Sequence, residues 1–242
     1  NLLIERKSKI AFVGQNGQGK STLAKIMVGE LKPSSGKSKL GHNVQIGYFA
    51  QNQAEYLDGS KTVLQTMIDS ANETNRSKVR DVLGSFLFKG DDVEKYVRVL
   101  SGGERNRLAL AKLLLQPFNV LVMDEPTSHL DIKSKSVLKQ ALVKFDGTLI
   151  LVSHDRDFLQ NITNKVYEFK SHNIREYLGD IDFYLNQRKI EDFREIEKKE
   201  KVVSIKKDKN IDNSKERELK KRISVFLDSS ESTPLFEKRE KK

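Results

Sequence analysis

The chain has 242 residues, 37% of them hydrophobic and 32% charged, with a formal net charge of +10 and no cysteine. That is enough apolar material for one large domain plus an appendage. It excludes disulfide and thiol chemistry, and no apolar run approaches the length of a membrane-spanning helix. The N-terminal stretch is too charged, and its apolar part too short, for a signal peptide; a cytoplasmic location is expected, and the absence of cysteine suits a reducing compartment.

Strands and helices alternate from the start. "KIAFVG" reads as a short buried strand and "KSTLAKIMVGEL" as the helix after it. "NVQIGYFAQ" is a strand, and residues 61–115 carry helical patterns with little strand signal. "NVLVMD" is a second buried strand, "SKSVLKQALVKF" an amphipathic helix and "GTLILVSH" a third buried strand. "DRDFLQNIT" makes a short helix, and "KVYEFKSHNIREYLGD" reads as a closing hairpin. This alternation predicts an α/β fold with a mainly parallel sheet flanked by helices. A helical subdomain at about residues 55–117 is expected on its side. The domain should span residues 1–187. Beyond it, residues 188–242 hold 18 Lys/Arg and 13 Asp/Glu, too many to bury a core, so this tail is expected to be a charged helical or disordered extension. A helix to about Lys201 and another in "SKERELKKRISVFL" are its candidates.

Four stretches carry chemistry. Gly14, Gln15, Asn16, Gly17, Gln18, Gly19, Lys20, Ser21 and Thr22 spell G-x-x-x-x-G-K-[ST] between a strand and a helix, the context a phosphate-binding loop requires. Its glycines let backbone N–H groups face phosphates at a helix N-terminus. Lys20 is placed to reach the β- and γ-phosphates, and Ser21 to offer its hydroxyl to Mg²⁺. Asp124 ends a buried strand where it would hold Mg²⁺ through water, and Glu125 follows as the base or positioner of an attacking water. "LSGGE" begins a helix: Ser101 and Glu104 have capping-box spacing, yet Gly102 and Gly103 fill the first turn, where each costs up to about 1 kcal/mol relative to Ala. A large anion approaching that backbone would explain them. Gln51 and His154 each end a strand. His42 and His172 have no such setting and read as surface residues.

Taken in order, "GQNGQGKST", "FAQ", "LSGGE", "LVMDEP", "SHLD" and "SHD" resemble the Walker A, Q-loop, signature, Walker B, D-loop and switch of the nucleotide-binding domain of ATP-binding cassette (ABC) proteins, a P-loop NTPase of RecA-like fold. "EPTSHLD" and "SHDRDFL" are similar to the ABC-F class, with Ser128 where Asn is usual. The resemblance implies ATP and Mg²⁺ as ligands, and a head-to-tail sandwich in which each ATP lies between one P-loop and the signature of a second cassette. Ser101, Gly102, Gly103 and Glu104 would then act in trans, and Asp131 would lie at the interface. His154 would contact the γ-phosphate, and Gln51 the metal and water. Lys20 and Glu125 complete the catalytic set. The class further implies a second cassette in the same full-length chain and a ribosome or RNA partner without membrane insertion. With only 48 residues between Gln51 and Leu100 there is little room for an inserted arm. That favours the second cassette, with 188–242 as a C-terminal extension, over a first cassette with its linker. The family's adenine-stacking aromatic falls in strands that would precede residue 1. The alternative is the ATPase subunit of a membrane transporter.

Overall fold

A computed structural model describes residues 2–50, 52–171 and 173–191. Two compact units divide the chain, Asn1–Leu185 and Asn186–Lys242, and the sheet lies wholly in the first. Gln51, His172 and the tail beyond residue 191, including the second tail helix candidate, lie outside the described residues; residues 181–191 are helical.

Six strands form one sheet: β1 (Lys9–Gly14), β2 (Ile46–Phe49), β3 (Val120–Asp124), β4 (Thr148–Val152), β5 (Lys165–Lys170) and β6 (Asn173–Tyr177), in the order β2-β3-β4-β1-β5-β6. All pairings are parallel except β5 with β6. The unbroken apolar run of β4 is buried along its whole length, as a central parallel strand covered on both faces must be.

The two-residue period sorts side chains to the two faces. Ile10, Phe12, Val122, Ile150 and Val152 pack on one side with Ala24, from α1 (Lys20–Met27). Ala11, Val13, Leu121, Met123, Leu149 and Leu151 pack on the other. There they meet Leu108 and Leu110 of α4 (Gly102–Leu115) and Leu138 and Leu142 of α5 (Ile132–Lys144). The helical stretch between β2 and β3 also contains α2 (Val63–Ser70) and α3 (Val79–Ser85). Their buried Val63, Met67 and Leu83 join that second core, so no separate core divides this region from the sheet.

Several elements are shorter than their sequence expectation. α1 stops at Met27 rather than Leu31, because the backbone turns left-handed at Gly29, where φ is 83°. β2 begins at Ile46, not Asn43, because Asn43 is itself left-handed at φ 54°. A short α6 (Arg156–Leu159), capped by the Asp155 side chain, follows β4.

Candidate functional site

Parallel strands deliver their C-terminal ends to one edge, and ligands of open α/β sheets bind beyond that edge. Here β3, β4 and β1 are neighbours, with Asp124 opposite Val152 and Phe12 opposite Val152 in register. The residues that follow each strand, namely Gln15–Lys20, Glu125 and His154, therefore emerge side by side. That is why stretches more than a hundred residues apart in sequence converge.

The loop after β1 is built to bring backbone close to a ligand. Gly17 and Gly19 take φ of 80° and 91°, and Gly19 caps α1 without any side chain in the way. Gly14 is needed for a different reason. A Cβ there would lie 2.3 Å from the carbonyl oxygen of Phe169 on β5. The Lys20 side chain is buried and folds back over the loop, its Nζ donating to the carbonyls of Gly14 and Gln15, both at 2.8 Å. Two of its three N–H donors are so engaged. Burial pulls the Lys20 ammonium below the ordinary lysine range, while Glu125 and Asp124 oppose that shift.

Asp124 is buried at the end of β3. Glu125 leaves the strand with φ 49°, an uncommon conformation for a side chain of its size, and is held there by its N–H donating to Val152 O at 2.8 Å. Its Oε1 is buried with no hydrogen-bond partner. His154 Nε2 stands 3.7 Å from that oxygen, beyond hydrogen-bond reach. Burial raises the Glu125 carboxyl above its usual range; the His154 backbone N–H opposes this, Asp124 adds to it, and Lys20 works against it. Burial also lowers the His154 imidazole, and the nearby Lys20 charge lowers it further. The result is an acceptor oxygen with a preference for protons, beside a histidine that prefers to be neutral, next to a phosphate-type loop.

Ser101 lies on another element and caps α4. Ser101 N and Oγ both donate to Glu104 Oε2, at 2.8 and 2.7 Å, and Glu104 N donates back to Ser101 Oγ at 3.3 Å. This is the capping box expected from the spacing. The two glycines separate in role. A Cβ on Gly102 would meet nothing within 4 Å, whereas one on Gly103 would stand 3.2 Å from the carbonyl oxygen of His129. Gly103 is thus explained inside the chain, whereas nothing inside the chain requires a glycine at 102. Asp131 caps α5, accepting from Ser134 N at 2.7 Å. His42 is exposed, as read from sequence.

Three groups at or near the site were not singled out from sequence. Asn106 is a buried amide on the apolar side of α4; a polar residue on the face shared with Leu110 was the available signal. Tyr48 on β2 has a buried hydroxyl without a partner, and burial, with Asp124 and Glu30 nearby, pushes its phenol up to about 12. Lys135 donates to Asp155 at 2.6 Å, tying α5 to the turn after His154. Nothing local in the sequence announces Tyr48 or the Lys135–Asp155 pairing.

A phosphate-binding loop at the end of the central parallel strand β1, with buried Asp124 and half-buried Glu125 at the end of β3 two strands away, defines a P-loop ATPase domain. The family model described as ABC transporter matches residues 1–128, and the chain belongs to that family. It is 50% identical over 188 residues to the putative ATP-binding protein YdiF of Bacillus subtilis, covering 78% of this chain and 29% of that one. It is 46% identical over 211 residues to ABC transporter F family member 5 of Arabidopsis thaliana, covering 85% and 30%. The chain thus spans less than a third of these relatives. Among solved structures, a dimeric post-hydrolysis state of the ATP-binding cassette MJ0796 bound to ADP and Pi superposes with a TM-score of 0.62 at 23% identity, covering 74% of this chain and 88% of that one. An ATP-binding subunit of an ABC transporter reaches 0.67 at 16%, covering 76% and 90%. At those identities the structural likeness speaks to the fold. Among the described residues no helix is long and apolar enough to cross a membrane.

Proposed function

We propose that residues 1–187 act as one ATP-hydrolysing half of a head-to-tail pair of cassettes, within a longer cytoplasmic ABC-F protein that works on the ribosome. The observation that carries the hydrolytic part is the buried, unpartnered Oε1 of Glu125 beside Lys20 and the P-loop. A buried carboxylate oxygen without a donor is costly, and an attacking water is a donor of the right size. Glu125 orients that water in line with the γ-phosphate and accepts its proton. The third donor of Lys20 goes to a phosphate oxygen, and His154 contacts the γ-phosphate.

The oxygen donors here fit Mg²⁺, a hard cation that is bound through one or two carboxylates plus substrate phosphates. Ser21, Asp124 (through water) and Gln51 would hold it. When bound, it supplies charge neutralisation at the β- and γ-phosphates.

The in-trans assignment of Ser101, Gly102, Gly103 and Glu104, with Asp131 at the interface, is supported by the open space beside Gly102. It is supported also by the dimeric state of the MJ0796 cassette. The ribosome as partner rests on the resemblance to the ABC-F class, with which relatives named ABC transporter F family members agree, and on the charge of +10, which favours an RNA polyanion. The C-terminal cassette position rests on the short spacing between Gln51 and Leu100.

The test is Glu125→Gln in the full-length protein. Hydrolysis is expected to fall by about a hundredfold or more, the scale of a general base, with ATP binding retained and the protein trapped with ribosomes in co-sedimentation at moderate salt. Undiminished hydrolysis removes Glu125 from its role; an ATP-trapped protein that stays in the supernatant removes the ribosome.

A further inference from the structure

The helix headed by Ser101 grips the loop that leads away from Glu125. Asn106 is only 5% exposed, and its Nδ2 donates to the carbonyl of Ser128 at 2.6 Å. Arg107 Nη1 reaches Asp131 Oδ2 at 3.3 Å and Ser134 Oγ at 3.2 Å, and its guanidinium lies 5.6 Å from the Phe88 ring centroid. Gly103 lets the His129 carbonyl approach. Positions 103, 106 and 107 are spaced i, i+3, i+4 and so share one helix face. Two side chains on that face therefore hold residues 128–131, and the third position leaves room for them.

That loop needs holding. Glu125 and His129 both sit at positive φ, 49° and 63°, a conformation that persists in such residues only when the surroundings impose it. Within the loop, Ser128 N donates to Glu125 O at 3.1 Å and Leu130 N to Thr127 O at 3.2 Å. Each turn of the loop is thus bonded to the one before it, back to Glu125. A shift of α4 along its axis would therefore reach the Glu125 backbone through Asn106 and Arg107.

We propose that Asn106 and Arg107 are positioning residues that couple the Ser101 end of α4 to Glu125. This rests on the in-trans reading above: Ser101 serves the nucleotide of one site and Glu125 the nucleotide of the other, so the bridge carries engagement at the first to the carboxylate of the second. Ordinary core packing would hold the fold equally well without either side chain reaching the loop. A positioning role instead requires that the donors be kept.

The experiment uses the full-length protein, measuring ATP affinity and the single-turnover hydrolysis rate for Asn106→Leu, Arg107→Ala and Arg107→Lys, with Glu125→Gln as reference. Leucine keeps the branching and heavy-atom count of the Asn106 side chain without its donor, and suits its apolar surroundings. Hydrolysis is expected to fall about tenfold or more in Asn106→Leu and Arg107→Ala while ATP affinity stays within about twofold, the pattern of a lost transition-state arrangement. Arg107→Lys recovers most of the rate, and Arg107→Ala combined with Asp131→Ala is no slower than the slower single variant. Wild-type rates, rate and affinity falling together, or a lysine no better than alanine would overturn the coupling. If Arg107→Ala does not fold, Asn106→Leu decides. If that does not fold either, Asn106→Gln, which keeps the amide but misplaces it by one methylene, is read the same way. Wild-type hydrolysis in Glu125→Gln would instead defeat the functional reading itself, whereas an inactive Glu125→Gln beside a fully active Asn106→Leu and Arg107→Ala would defeat only the coupling.

Discussion

Glu125 is placed where a carboxylate is least comfortable: its Oε1 is buried without a partner, and Asp124 adjoins it. Burial raises its carboxyl, so the folded state binds that proton more readily than the unfolded chain does. An acid shifted in this direction contributes stability that is complete below its unfolded value, about 4.3, and is lost as pH rises through the higher folded value. Glutamine has no such dependence. Glu125→Gln is therefore expected to melt higher than wild type at pH 7 to 8, with the advantage shrinking as the pH falls toward about 4. Thermal melts at both pH values check this, and a pH-independent difference would contradict the assigned cause. The identities of Lys20 and Glu125 were legible in the sequence because the motifs name them. Asn106 and Arg107 were not. Their partners, Ser128 and Asp131, lie more than twenty residues away and meet them only in the folded chain.

Helix α4 shows what an element can and cannot disclose. Its start was legible from Ser101 and Glu104, and its core face from apolar periodicity. The separate reasons for its two glycines were not, since one depends on a carbonyl belonging to a distant loop. The separation is testable. Gly102→Ala places a methyl in open space and removes the flexibility of glycine from a helix, so it should raise stability by up to about 1 kcal/mol. If Gly102 is clearance for a phosphate, the same variant should hydrolyse ATP more slowly in the full-length protein. A higher melting temperature with unchanged hydrolysis would remove that reading. Gly14→Ala is the opposite case: its methyl collides with the Phe169 carbonyl at a φ of 141°, and a loss of about 1–3 kcal/mol is expected. The melting temperature of a domain this size should then drop by roughly 2–4 °C per kcal/mol, and the displaced loop should weaken ATP binding.

For the molecule as a whole, the sheet order was only partly legible. Alternating strands and helices predicted a parallel sheet, but placing β1 between β4 and β5 depends on which helices cover which face, and that is decided by tertiary packing. The central claim is that the P-loop and the signature of this chain serve different nucleotides. Ser101→Arg in the full-length protein tests it most directly. The long cation should block pairing with a second cassette yet leave Gly14–Thr22 untouched. Titration of a fluorescent ATP analogue onto this cassette, with the other cassette's P-loop lysine removed, is predicted to give an affinity within about twofold of wild type, alongside hydrolysis lost by about tenfold or more. Equal loss of affinity and hydrolysis would contradict the account, because Ser101 would then belong to the same nucleotide as Lys20.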